Sequence, residues 1–177
     1  SGPQLSDLGQ VGKDTAVRRS CVGCHGRSGE GGDGNAGPEW IGLYGATDLA
    51  RVGERICAPG RGFSNFPTAL GEAMAFGALA LADAPDCAEH KLDISGDGTS
   101  NDGISPSEAL ARFRFERVTV NGLVIGASHE ALARYYQRFV IHGPGAFVEV
   151  ADDYSDFEQA MRRKLERELE PGRFAGR

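Results

Sequence analysis

The sequence predicts a mainly α chain in two parts: a helical haem-binding domain over residues 1–90 and a helical extension over 91–177 that contains a small β-hairpin. Three observations predict this. Cys21-Val22-Gly23-Cys24-His25 is a C-x-x-C-H run, apolar residues recur at helical spacing in several later segments, and Asn121-Gly122 separates two short apolar runs. The chain has 177 residues, enough for one domain or a small one with an extension.

C-x-x-C-H is the attachment signature of a c-type haem. Cys21 and Cys24 would each form a thioether, and His25 would become the proximal iron ligand. A helical turn would carry the two sulfurs and the imidazole around one end. Zinc needs a second ligand pair, and Cys57 and Cys87 stand far apart with no ligand-spaced histidine beside them. A thioredoxin-like redox pair would sit at the end of an apolar strand, and this run does not. Upstream, Asp14–Ser20 reads as a short helix that Asp14 or Thr15 can cap. Downstream come Gly26, Gly29, Gly31, Gly32, Gly34 and Gly37, residues that let backbone pass close to a flat macrocycle.

Together, Gly12-Lys13, the C-x-x-C-H-Gly run, the glycine loop, Gly37-Pro38 and Gly42-Leu43-Tyr44-Gly45 resemble the N-terminal half of the class I cytochrome c family, over roughly residues 8–46. The resemblance implies a class I cytochrome c-like helical haem domain with one covalent haem c. It places the Pro38 carbonyl as acceptor for the His25 ring N–H, orienting the ligand. It implies single-electron transfer to redox protein partners or within a larger electron-transfer complex. For the sixth iron position, Met74 stands at a family-like separation from His25 and Pro38, although Ala75 replaces the proline that often follows. His90, His129, His142 or an open position are the alternatives, while Met161 reads as a packing residue. Trp40 and Tyr44 are candidate hydrogen-bond donors to the propionates, and Arg51, Arg55 and Arg61 candidate cations for them. An open iron would instead make the chain a haem enzyme, peroxidase-like or oxidising a small molecule.

Haem attachment of this kind takes place outside the cytoplasm, so a periplasmic or otherwise extracytoplasmic location is expected, after a removed signal or anchor. Cys57 and Cys87 can then form a disulfide. The formal net charge of −6 disfavours nucleic acid and anionic membrane as partners. No apolar run is long enough to span a bilayer.

The extension opens on Asp93-Ile94-Ser95-Gly96-Asp97-Gly98-Thr99-Ser100-Asn101, with oxygen side chains at alternate positions. That is the register of an EF-hand-like Ca2+ loop over 93–104. Asp93, Ser95, Asp97, the Thr99 carbonyl and Asn101 are candidate ligands, with Glu108 or, as the alternative, Asp102 standing in for the absent twelfth-position glutamate at Ile104. A surface turn with no ion is the alternative. Helices are expected over Pro67–Leu81, Pro106–Phe115, Ser128–Ile141 and Phe157–Glu170, and a short strand at Phe147–Val150. Arg117–Val120 and Leu123–Ile125 flank Asn121-Gly122 as a hairpin. On the last helix Arg162, Arg163, Lys164 and Arg167 alternate with acidic residues, which reads as a solvated ion-pair face.

Overall fold

The computed structural model describes residues 16–20, 24–26, 40–42, 44–57, 67–85, 87, 89–126 and 129–169. Its sequence order is β1 (Ala16–Ser20), β2 (Cys24–Gly26), β3 (Trp40–Gly42), α1 (Ala46–Cys57), α2 (Leu70–Ala82), β4 (His90–Gly96), α3 (Pro106–Arg112), β5 (Val118–Ile125), α4 (His129–Phe139), β6 (Val148–Ala151) and α5 (Phe157–Leu169). One sheet runs in the order β1-β4-β5-β6, with β4, β5 and β6 mutually parallel and β1 antiparallel at the edge.

This is an α/β fold, and it overturns the expected mainly α, class I cytochrome c-like architecture. The physical reason lies in β5. Val118–Ile125 was expected to turn back at Asn121-Gly122, yet it is one continuous strand, paired with β4 on one edge and β6 on the other. Seven of its eight residues are buried. A strand covered on both faces reads as a nearly unbroken apolar run, and parallel neighbours need helical crossovers, which α3 and α4 supply. Gly122 makes no turn. A Cβ there would come within 2.8 Å of the Tyr136 ring, so the glycine lets α4 lie close over the sheet.

Side chains alternate across the strands. Leu92, Ile94, Val118, Val120 and Val124 pack with Leu70, Ala73, Met74, Ala109, Leu132 and Tyr136, which places α2, α3 and α4 on one face. Leu123, Ile125 and Ala151 pack with Ala160 and Met161 of α5 on the other face. The α2 helix is apolar almost all round, as a helix buried in the interior must be. It approaches its neighbours through glycine: Gly77 lies over the Leu92 side chain, and a Cβ on Gly71 would run into the Ile104 carbonyl oxygen.

The helices expected at Pro67–Leu81, Pro106–Phe115, Ser128–Ile141 and Phe157–Glu170 are present as α2 to α5, and the Phe147–Val150 strand as β6. α3 ends early, with Phe113 already extended. At the N-terminal side the differences are larger. The segment expected as a helix through Ser20 is instead β1, with Arg18 in register opposite Asp93. It therefore joins the same sheet as residues beyond 90. Cys24-His25-Gly26 is extended and pairs antiparallel with Trp40–Gly42, where the haem reading expected a helical turn. Among the described residues no helix is long and apolar enough to cross a membrane.

Gly71→Ala is expected to destabilise the protein by about 3 kcal/mol, since the added methyl meets backbone that cannot move aside cheaply. Urea unfolding would measure this, and a variant within 0.5 kcal/mol of the parent, about the spread of a surface change, would refute the packing of α2 against the 104–105 backbone.

Candidate functional site at the carboxyl edge of the parallel sheet

In open α/β sheets ligands are met in the crevice outside the carboxyl ends of the strands. Here that edge is formed by the segment after β4, which begins at Asp97, and the segment after β6, which begins at Asp152. Asp97 is exposed, and its Oδ2 accepts a 2.9 Å hydrogen bond from the Tyr154 hydroxyl. Thr68, just before α2, places its Oγ1 3.5 Å from where a Cβ on Gly98 would stand. The Tyr136 hydroxyl reaches the same strand end from below: a Cβ on Gly96 would lie 2.6 Å from it. Tyr136 is completely buried, and its hydroxyl has no hydrogen-bond partner among the described residues. Burial pushes its phenol pKa up, with Tyr135 and the Asp97 carboxylate adding to the effect. The group at this strand end is therefore a neutral donor.

The rest of the 97–105 segment is fastened to the start of α2 by its own side chains. Asn101 Oδ1 accepts from Thr68 N at 2.7 Å, while Asn101 N donates to the Thr68 carbonyl at 2.9 Å. Ser100 Oγ accepts from Leu70 N at 3.1 Å, and Glu72 Oε1 accepts from Ile104 N at 2.6 Å. Beside this lies an open polar hollow of about 340 Å³, lined by residues that include Ser100, Asn101, Asp102, Glu108 and Tyr135. Glu108 caps α3 in a reciprocal pair with Ser105, and the Ser105 backbone and hydroxyl bonds hold its carboxyl below the usual range.

The six candidate Ca2+ ligands are thus split. Asp93 and Ser95 belong to strand β4 and are buried beneath the sheet surface, whereas Asp97 and Thr99 are exposed at its end. Asn101 and Glu108 line the hollow, already engaged as described. The alternation Asp93, Ser95, Asp97 that resembled an ion loop is the period-2 alternation of a strand. Among the described residues no three His, Cys, Asp or Glu side chains converge as a metal-binding group.

For the haem candidates, Cys24 and His25 lie on β2 and Trp40 on β3, while Cys21 and Pro38 fall outside the described residues. Met74 is completely buried in the apolar cluster between α2 and the sheet, a packing position. Tyr44 is 94% exposed, and its N–H donates to Asp48 Oδ2, while Asp48 Oδ1 pairs with Arg51. His90 opens β4, His142 pairs with β5 through a bridge at Val120, and His129 begins α4. Arg61 lies outside the described residues, and of Arg55 only the backbone, within α1, is described. Cys87 is held in a disulfide, while the side chain of Cys57, its expected partner, lies outside the described residues.

Beneath α5 lies a polar cluster that its helical pattern does not announce. Lys164 and Glu168, expected on a solvated face, are buried. Lys164 Nζ pairs with Asp93 Oδ1 and, at 2.5 Å, with Glu168 Oε1. Glu168 Oε1 also accepts from Asn121 Nδ2 at 2.8 Å, and Asn121 Oδ1 accepts from Phe147 N at 3.1 Å. Lys91 Nζ donates to the Glu168 carbonyl at 2.7 Å and pairs with Glu89 at 3.1 Å. Burial raises the Asp93 pKa to about 7; Lys164 opposes the shift and the Glu168 carboxylate adds to it.

A family model described as "Protein of unknown function (DUF1194)" matches residues 31–172. The match takes in the whole carboxyl edge and begins after the C-x-x-C-H run. No curated protein matches, and no solved structure does.

Lys164→Met is expected to lower stability by about 3–5 kcal/mol, because it leaves two buried carboxylates facing each other without their shared cation. Chemical denaturation would read this, and a change under about 1 kcal/mol, the size of an exposed pair, would place Lys164 outside the core.

Proposed function

The chain belongs to the DUF1194 family, and on that premise we propose that it is an extracytoplasmic binding module whose ligand is met at Asp97 on the carboxyl edge of the sheet. The observation that carries this reading is that an exposed carboxylate, Asp97, and a buried, unpartnered phenol, Tyr136, both stand at one strand end. Buried hydroxyls are hydrogen-bonded as a rule, so an unfilled donor beside a surface carboxylate marks a place for a further group.

The chemistry is that of a hard cation bridging to an oxygen ligand. Asp97 supplies the charge, the Thr68 hydroxyl and solvent supply neutral oxygens, and an acidic group of a protein partner completes the shell. Magnesium in particular is commonly held by one or two carboxylates and several waters. This moves the calcium expectation from the 93–104 loop as a whole to Asp97, exposed at the strand end. The disulfide at Cys87 supports an oxidising, periplasmic setting. The charge of −6 supports protein partners over nucleic acid.

Titration calorimetry with Mg2+ and with Ca2+ should give a saturable isotherm that Asp97→Asn reduces at least about tenfold in affinity, a loss of about 1.4 kcal/mol. No heat from either ion, or equal binding by Asp97→Asn, would refute the reading.

A second reading concerns the segment ahead of the matched region. Its C-x-x-C-H run is complete in sequence and lies outside the family match. On that reading Cys21, Cys24 and His25 attach one haem c to an appended segment, and the chain passes single electrons to redox partners. Expression in a host that matures c-type cytochromes should then yield a covalent haem that survives denaturation and is lost in Cys24→Ser. Colourless protein from that host would remove this reading and leave the binding module untouched.

A further inference from the structure

Helix α5 is attached to the sheet by two patches of opposite character. Toward its start, Phe157, Ala160 and Met161, with Leu165 further along, meet Leu123, Ile125 and Ala151 in a small apolar cluster. Toward its end the contact is made by charge: Lys164 stands between Asp93 of β4 and its own helix neighbour Glu168. All three side chains are more than nine-tenths buried. One ammonium cannot neutralise two carboxylates, and a spare negative charge away from water is strongly disfavoured. Asp93 Oδ2 and Glu168 Oε2 are both buried and find no donor among the described residues. A single proton on this pair supplies the missing donor and removes the excess charge together.

We propose that Asp93 and Glu168 hold one proton around Lys164, and that this proton latches the C-terminal half of α5 to the sheet. Its loss on the alkaline side of neutrality loosens the helix.

Among the neighbours whose side chains are described, the charges leave the requirement in place. On β4, Lys91 turns to the Glu168 carbonyl and to Glu89, and Ser95 carries no charge. Asn121 of β5 is neutral and bonded to Glu168. Glu149 of β6 pairs with Arg163, and Arg167 of α5 lies over the Phe147 ring at 3.8 Å. Arg18 of β1 occupies the register position opposite Asp93.

The folded protein binds the proton more tightly than the unfolded chain, because burial raises Asp93 from 3.8 to about 7. The stability it contributes is therefore complete below the unfolded value and is lost as pH rises through the folded one. The latch is independent of what binds at Asp97, and its test involves no ligand.

Hydrogen exchange of the whole chain, corrected for intrinsic base catalysis, should show α5 protection falling about tenfold or more between about pH 5 and about pH 8.5, with α2 unchanged. Asp93→Asn, a permanent stand-in for the protonated carboxyl, should hold that protection level across the range. Equal protection of wild-type α5 at both pH values overturns the proposal, as does an equal fall in Asp93→Asn or a parallel fall in α2. Should Asp93→Asn fail to fold, carboxyl 13C titration of the wild type decides. A midpoint near neutrality at Asp93 supports the latch, and one near the ordinary value of about 4 overturns it.

Discussion

Everything in this fold depends on β5 being buried on both faces and hydrogen-bonded on both edges. Val118–Ile125 is the strand against which both apolar clusters form, and its alternation decides which helix covers which side. Once it is central and parallel, the rest follows. The neighbours must be reached through long helical crossovers, and the loops that meet a ligand lie outside the carboxyl ends of the strands. The 97–105 segment is at that edge for this reason, and its fastening to Thr68 and Leu70 fixes it relative to α2.

Burying such a sheet leaves the problem of its polar residues. The face toward α2, α3 and α4 is apolar and relies on close approach, with Gly77 and Gly122 allowing helices to lie near the strands. The face toward α5 carries Lys91, Asp93 and Asn121, and α5 answers with Lys164 and Glu168. Such a network contributes little net stability over an apolar replacement, but it admits few alternative arrangements. A helix attached by matched charges has one register, whereas an apolar stripe tolerates slippage.

The sequence made α2 to α5 legible: α4 and α5 have a helical period, α2 is a run of small and apolar residues, and α3 carries its capping box in plain view at Ser105–Glu108. β6 was legible as well. β5 was not, since Asn-Gly is the strongest local hairpin signal and only long-range pairing overrides it. The same override applies to Asp93 and Ser95: oxygen at alternate positions describes an ion loop and a strand equally, and only the location of a neighbouring strand separates them. Of the candidate site, Asp97 was visible through its flanking glycines. Tyr136 was visible only as one apolar position of an amphipathic helix, and nothing local marks Thr68 or Tyr154 as reaching the same strand end. The C-x-x-C-H run is a local motif whose resemblance to a helical haem domain extended over residues 8–46, while the sheet that sets the fold is made chiefly beyond them.

The place of β1 has a consequence of its own. It runs along the outer edge of β4, satisfying the backbone N–H and C=O groups that strand would otherwise present to solvent. Yet it comes from residues 16–20, ahead of the region that the family model matches. A chain holding the matched region alone would bare one side of β4 as an open template for strand addition, inviting a second molecule, or an extended peptide, to take the vacant lane. The segment bearing the two cysteines thus doubles as the sheet's own guard against self-association.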